Sequence, residues 1–172
     1  TWLAEHLAGH ASRHGIRVLW GRCWEAGGAP PFWPWTQLLG ALAEDRDEQA
    51  LAVWLGAGAA QVAQLIPDLT ERLGMPVIPA VASGESEAAR FYLFQAVADL
   101  FRRAASGEPL LLVLDDLHAA DDASLQLLQF LARELRGARL LLVGAYRDMG
   151  ADRQPGLGGA VGELVREGEL LN

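Results

Sequence analysis

The sequence predicts a layered α/β domain built on a parallel sheet, and three observations lead there. Two short, unbroken apolar runs, Leu110 to Leu114 and Leu140 to Val143, have the length and composition of buried strands rather than half-exposed ones. Stretches with helical spacing of apolar residues separate the strand candidates, which implies parallel crossovers between them. The first run ends abruptly in Asp115 and Asp116, and ligands of open α/β sheets sit at the carboxyl ends of strands.

Taken in order, Thr1 to about His14 carries Leu3, Leu7 and Ala11 at helical spacing, and Gly15 stops that helix. A strand from Ile16 to Trp20 follows and leads into Gly21, Arg22 and Cys23. Residues Glu25 to Trp35 (EAGGAPPFWPW) are too dense in proline and glycine for a regular helix or a central strand, and Pro34 suits a helix start. Leu38, Leu39 and Leu42 then mark a short amphipathic helix. After the acidic turn Glu44 to Glu48, further helices run through Leu51 and Trp54 to Leu55, and through Val62 and Leu65. Residues 26–84 therefore read as a small helical insertion. Phe32, Trp33 and Trp35 suit its core better than a lid over a ligand or a surface for a partner. Pro67 to Gly84 is loop-like, with one helical turn at Leu69 to Leu73, and is a candidate flexible connection.

Glu85 to Ala105 makes a long helix, with Ser83 as a cap and an apolar stripe of Phe91, Phe94, Val97, Ala98 and Phe101; Gly107 ends it. The acid-tipped strand Leu110 to Asp116 comes next. In the following HAADDAS, Asp121 or Asp122 suits the cap of a helix from Ala123 to Arg136, so these two acids read as caps rather than catalysts. Leu125, Leu128, Leu131 and Leu135 form that helix's buried face, and Gly137 closes it. The strand Leu140 to Val143 then runs into Gly144, Ala145, Tyr146, Arg147 and Asp148, which puts Arg147 at the same edge of the sheet as Asp115. The tail Gly156 to Gly162 (GLGGAVG) imitates a dinucleotide fingerprint, but that motif needs a strand immediately before it, and Met149 to Pro155 is polar and turn-like. A short helix from about Ala160 to Arg166 is the expectation there.

The bulk numbers narrow the function classes. At 172 residues and 51% hydrophobic composition the chain can bury a real core. The net charge of −8, with 14 basic residues scattered among 22 acidic ones, argues against direct contact with nucleic acid. A single cysteine, Cys23, excludes an internal disulfide and fits a reducing, cytoplasmic compartment. No apolar run approaches a membrane span, and no signal peptide is legible. The chain begins without Met inside an apparent helix, so we expect a piece of a longer protein.

Asp115 and Asp116 are the strongest candidates for chemistry. One suits Mg²⁺, directly or through water, and the other suits orientation of an attacking water; because adjacent strand residues point to opposite faces, the two are expected to hold different roles. An ordinary buried strand leaving the core through an acidic turn explains the pair equally well. Arg147 is suited to sensing a terminal phosphate. His6, His10 and His14 share one helical face at a spacing used by metal sites, yet no cysteine or carboxylate pattern completes a site, and a solvated face is the better reading.

Together, HGIRVLWGRCWE, PPFWPW, ESEAARFYLFQAVADLF, LLLVLDDLHAADDASLQLLQFLA and LLLVGAYRD resemble the AAA-like ATPase module of bacterial signal-transduction NTPases, including the large ATP-binding LuxR-type transcriptional regulators. The resemblance spans nearly the whole chain and is most specific at the last two segments. It implies a three-layer α/β/α, P-loop-NTPase-like domain that binds and hydrolyses ATP with Mg²⁺ as a switch in a signalling or transcriptional regulator. By the same resemblance Asp115 is the Walker B acid that holds Mg²⁺, Asp116 the catalytic acid that orients water, and Arg147 the residue that reports on the γ-phosphate. Thr1 aligns with the Mg²⁺-ligating hydroxyl residue that ends the family's glycine-rich loop. The expected partners are ATP, other domains of the parent protein and a second copy of it.

One departure is plain: no G-x-x-x-x-G-K-[ST] motif occurs in these residues. The resemblance therefore implies a partial domain over residues 1–172, with the first strand and phosphate loop missing and the Walker B and sensor half at about 85–172. An open edge is expected beside the strand that carries Arg147, with weak ATP binding by these residues alone. The alternative is a degenerate scaffold of the same fold that holds a partner protein through its Trp-rich insertion.

Overall fold

Strand β2 (Leu110–Asp115) lies at the centre of a three-stranded, all-parallel sheet, between β1 (Arg17–Arg22) and β3 (Leu140–Gly144). The computed structural model describes residues 1–26, 28–44, 46–74, 87–147 and 155–166. Every residue of β2 is buried, as its unbroken apolar run requires. Alternate side chains of the strand serve two different cores. Leu111 and Val113 pack with Ala4, Ala8 and Ala11 of helix α1 (Trp2–Arg13), while Leu110, Leu112 and Leu114 join the larger core on the opposite face. Helix, sheet and helices thus form three layers, the α/β arrangement that the strand and helix alternation implies.

The larger core is built from α2 (Trp33–Glu44), α3 (Glu48–Leu55), α4 (Ala59–Ala63), α5 (Pro67–Arg72), α6 (Glu87–Gly107) and α7 (Asp122–Glu134). Trp35, Leu38, Leu39, Leu42, Leu51 and Leu55 are fully buried, each worth about 2 kcal/mol or more by removal from water. Two indole N–H groups are satisfied inside that core: Trp35 Nε1 donates to the Ser124 carbonyl at 3.1 Å, and Trp54 Nε1 to the Leu100 carbonyl at 3.3 Å. The reading of Trp35 and Phe32 as core residues agrees with their burial, whereas Trp33 is 37% exposed.

Several expectations shift. The buried face of α1 is Ala4, Ala8 and Ala11, with Leu3 74% exposed, because the helix lies close on β1 and β2 and its small side chains fill that contact. Strand β1 runs to Arg22 instead of Trp20, since its pairing follows β2 as far as Arg22 opposite Asp115. Helix α2 opens at Trp33, one residue before Pro34, after Phe32 turns the chain at φ 65°. Phe91 is 52% exposed; the buried stripe of α6 is Leu93, Phe94, Val97, Leu100, Phe101 and Ala104. The helical turn expected at Leu69 to Leu73 is present as the helix Pro67–Arg72, which opens earlier, at a proline where a missing N–H costs nothing. Residues 75–86, with Ser83 and the expected helix start at Glu85, lie outside the described residues, as does Asp148.

In the second half, Leu125, Leu128, Leu131 and Leu135 are buried as expected. Strand β3 is half-buried, and Leu141 is 48% exposed, because β3 has one strand neighbour among the described residues. Helix α8 (Pro155–Arg166) starts five residues ahead of the expected Ala160, so the glycines of GLGGAVG lie inside a helix. A Cβ on Gly156 would come within 2.8 Å of Asp122 Oδ1, so the glycine serves the contact of α8 with α7. Among the described residues no helix is long and apolar enough to cross a membrane.

Candidate functional site

The carboxyl edge of the sheet gathers charged side chains from three strand ends. Asp115, the last residue of β2, is 1% exposed, an expensive position for a carboxylate unless its oxygens are occupied. They are: Arg22 Nη2 donates to Oδ2 at 3.1 Å, the Thr1 hydroxyl stands 3.2 Å from both oxygens, and the Asp116 backbone N–H donates to Oδ1 at 3.1 Å. Arg22 reaches Asp115 because β1 and β2 are paired in register there. Thr1 precedes α1 and makes no side-chain cap for it, leaving its hydroxyl to Asp115.

Asp116 follows in the left-handed region at φ 56°, a conformation that aspartate tolerates better than most residues. This ends the strand and cancels the alternation argument that would send the two carboxylates to opposite faces. Both acids instead lie along one guanidinium, with Arg22 Nε 3.8 Å from Asp116 Oδ2. From the end of β3, Arg147 reaches back: its Nη2 lies 4.0 Å from Asp116 Oδ1 and 3.3 Å from Glu25 Oε1. Glu25 also accepts at 2.9 Å from His118 Nε2.

The four residues singled out from sequence, Thr1, Asp115, Asp116 and Arg147, therefore share one edge of the sheet. Asp121 and Asp122 do not join them. Asp121 caps α7, accepting from the Ser124 backbone N–H at 2.9 Å, and Asp122 is that helix's first residue. Arg22, Glu25 and His118 were not singled out in the sequence. Arg22 carried a readable signal, as a cation ending a strand that pairs with β2; a lone glutamate in a glycine-rich turn and a histidine two residues past the acids carried none.

The donor set around Asp115 fits Mg²⁺. A carboxylate and a hydroxyl are hard oxygen ligands, and their 3.2 Å separation is close to the ~3.0 Å between neighbouring ligands of an octahedron with bonds near 2.1 Å. The histidines of α1 have other partners: His6 Nδ1 pairs with the Trp2 carbonyl, His14 Nδ1 with the His10 carbonyl, and the rings of His10 and His14 lie 4.3 Å apart. Among the described residues, the group of potential metal ligands drawn close together is Glu25, Asp116 and His118, and the Arg147 guanidinium already stands against it. Cys23, next to this edge, is buried; desolvation first, then the charges of Asp121, Asp116 and Asp115, push its thiol up to about 12. It is therefore an inert thiol rather than a nucleophile.

A family model described as an AAA ATPase domain matches residues 1–143, the span from the first helix into β3, ending short of Arg147. No curated protein and no solved structure matches this chain.

Proposed function

Because this chain belongs to the AAA ATPase domain family, we propose that it is the ATP-binding and ATP-hydrolysing switch module of a bacterial, cytoplasmic signalling protein, of the LuxR-type transcriptional regulator kind. A nucleotide-binding, ATPase-type module is what the family match supports directly. The observation that carries the finer reading is the convergence of Thr1, Asp115, Asp116 and Arg147 on one edge of the sheet, with a buried carboxylate at its centre.

In this reading Thr1 and Asp115 would hold Mg²⁺, which when bound would supply positive charge against the phosphates of the nucleotide. Burial and three donors fix Asp115 in place, so it needs little reorganisation to serve as a ligand. Asp116, partly exposed at 18%, orients a water for attack on the γ-phosphate and accepts its proton. Arg147, 65% exposed beside Asp116, would meet the γ-phosphate and transmit its presence to neighbouring domains or to a second copy. The lysine-bearing phosphate loop is not among these 172 residues. The reading assigns the grip on the phosphates to residues outside them, and the open side of β3 suits an additional strand there. These residues alone are then expected to bind ATP weakly.

The test is Asp116→Asn in the full-length protein. Turnover should fall about 100-fold or more, within the range of a lost general base, while Mg-ATP binding changes little. Unchanged turnover would remove Asp116 from its assigned role. A full-length protein that Mg-ATP does not stabilise against heat would favour a non-hydrolysing interaction scaffold of the same fold.

A further inference from the structure

Three loops meet at the site, and one side chain touches the other two loops at once. Glu25, in the turn after β1, shares its Oε1 between His118 Nε2 at 2.9 Å, from the turn after β2, and Arg147 Nη2 at 3.3 Å, from the end of β3. Arg147 lies nearer to Glu25 than to Asp116, from which it stands 4.0 Å away. An arginine that is 65% exposed has many rotamers, and holding it in one costs entropy unless a partner is itself fixed. Glu25 has that anchor: His118 is 15% exposed, its Nδ1 is buried without a hydrogen-bond partner among the described residues, and its Nε2 pairs with Glu25.

We propose that Glu25 is a positioning residue: anchored by His118, it holds the Arg147 guanidinium beside Asp116, where a terminal phosphate would be met. The proposal rests on the ATPase reading above. A metal ion at Glu25, Asp116 and His118 is disfavoured because Arg147 already supplies the cation there.

The experiment is a double-mutant cycle in the full-length protein, measuring Mg-dependent ATP turnover for Glu25→Ala, Arg147→Ala and the pair, with His118→Ala alongside. Glu25→Ala should lower kcat about fivefold, the upper range for an exposed ion pair, with KM for ATP changed less than twofold. On the Arg147→Ala background the same substitution should change kcat less than twofold, because its effect passes through the guanidinium. His118→Ala should reproduce part of the Glu25→Ala loss, and Glu25→Asp should rescue less than Glu25→Gln, which keeps the length of the side chain. Independent, multiplicative losses from Glu25→Ala and Arg147→Ala would overturn the proposal while leaving the ATPase reading intact. If neither Arg147→Ala nor Asp116→Asn alters turnover, the ATPase reading itself fails, and the role of Glu25 falls with it. Circular dichroism and melting curves of each variant separate these outcomes from loss of fold.

Discussion

Asp121 is the acid whose removal the structure prices most directly. Its carboxylate accepts from the Ser124 backbone N–H at 2.9 Å and the Ser124 hydroxyl at 2.6 Å, and from the Phe32 N–H at 3.3 Å. Asp121→Ala removes the cap of α7, at about 1 kcal/mol. It also strips the acceptor from a serine that is 2% exposed and from the N–H of a buried phenylalanine in a left-handed turn. A buried donor left unsatisfied costs about 1–3 kcal/mol, and the 3.3 Å bond is the weaker of the two, so the total should be about 2–4 kcal/mol. Asp121→Asn keeps a carbonyl oxygen for the Ser124 N–H and should cost about 1 kcal/mol. Urea unfolding followed by circular dichroism measures both, with the slope unchanged and the midpoint lowered. A loss below about 0.5 kcal/mol for Asp121→Ala would refute the account, as would an asparagine variant as damaged as the alanine one.

Two further outcomes follow from the core and from the buried thiol. Leu112→Ala, at a fully buried position of the central strand, should cost about 2–5 kcal/mol, whereas Leu141→Ala on the half-open edge strand should cost about 1 kcal/mol; denaturant midpoints compare them, and equal costs would contradict the burial pattern. Cys23 keeps its proton in the folded chain up to about 12 but ionises near its ordinary 9.0 when unfolded. The stability this provides is complete below pH 9 and is lost as pH rises toward 12, with a slope approaching about 1.4 kcal/mol per pH unit inside that window. Cys23→Ala should flatten that part of the stability profile, and the native thiol should resist Ellman's reagent at pH 8 until urea unfolds the chain.

What was legible in the sequence was set by local chemistry. The buried strand around Leu112, the leucine face of α7 and its aspartate cap follow from periodicity and backbone satisfaction, and the structure carries them; the run around Val143 is a strand too, but a half-buried one. The burial of α1 was not legible. Leu3 and Ala4 offer competing faces, and the choice depends on how closely the helix approaches the sheet, a tertiary quantity. Phe91 was misplaced for the same reason, since a phenylalanine beside a helical stripe carries no mark of which turn meets the core. At the site, the acids at the end of β2 and the arginine after β3 stand out because an apolar strand leads into each. Glu25 and His118 become visible only when parallel strand pairing draws three turns together, whereas Arg22, a cation ending a strand, could have been read.

Three of the bonds that define this edge bridge large loops of chain. Thr1 and Asp115 are 114 positions apart, and Arg22 with Asp115 and Glu25 with His118 are each separated by 93. Closing such loops costs entropy that is recovered only when strands far apart in sequence have paired. A partly folded chain that has formed its helices still has none of this chemistry, because the acids, the guanidinium groups and the hydroxyl are strangers until β1 and β2 lie side by side. The contacts of this edge should therefore appear in one step with sheet assembly during refolding, with no gradual onset as helix content grows.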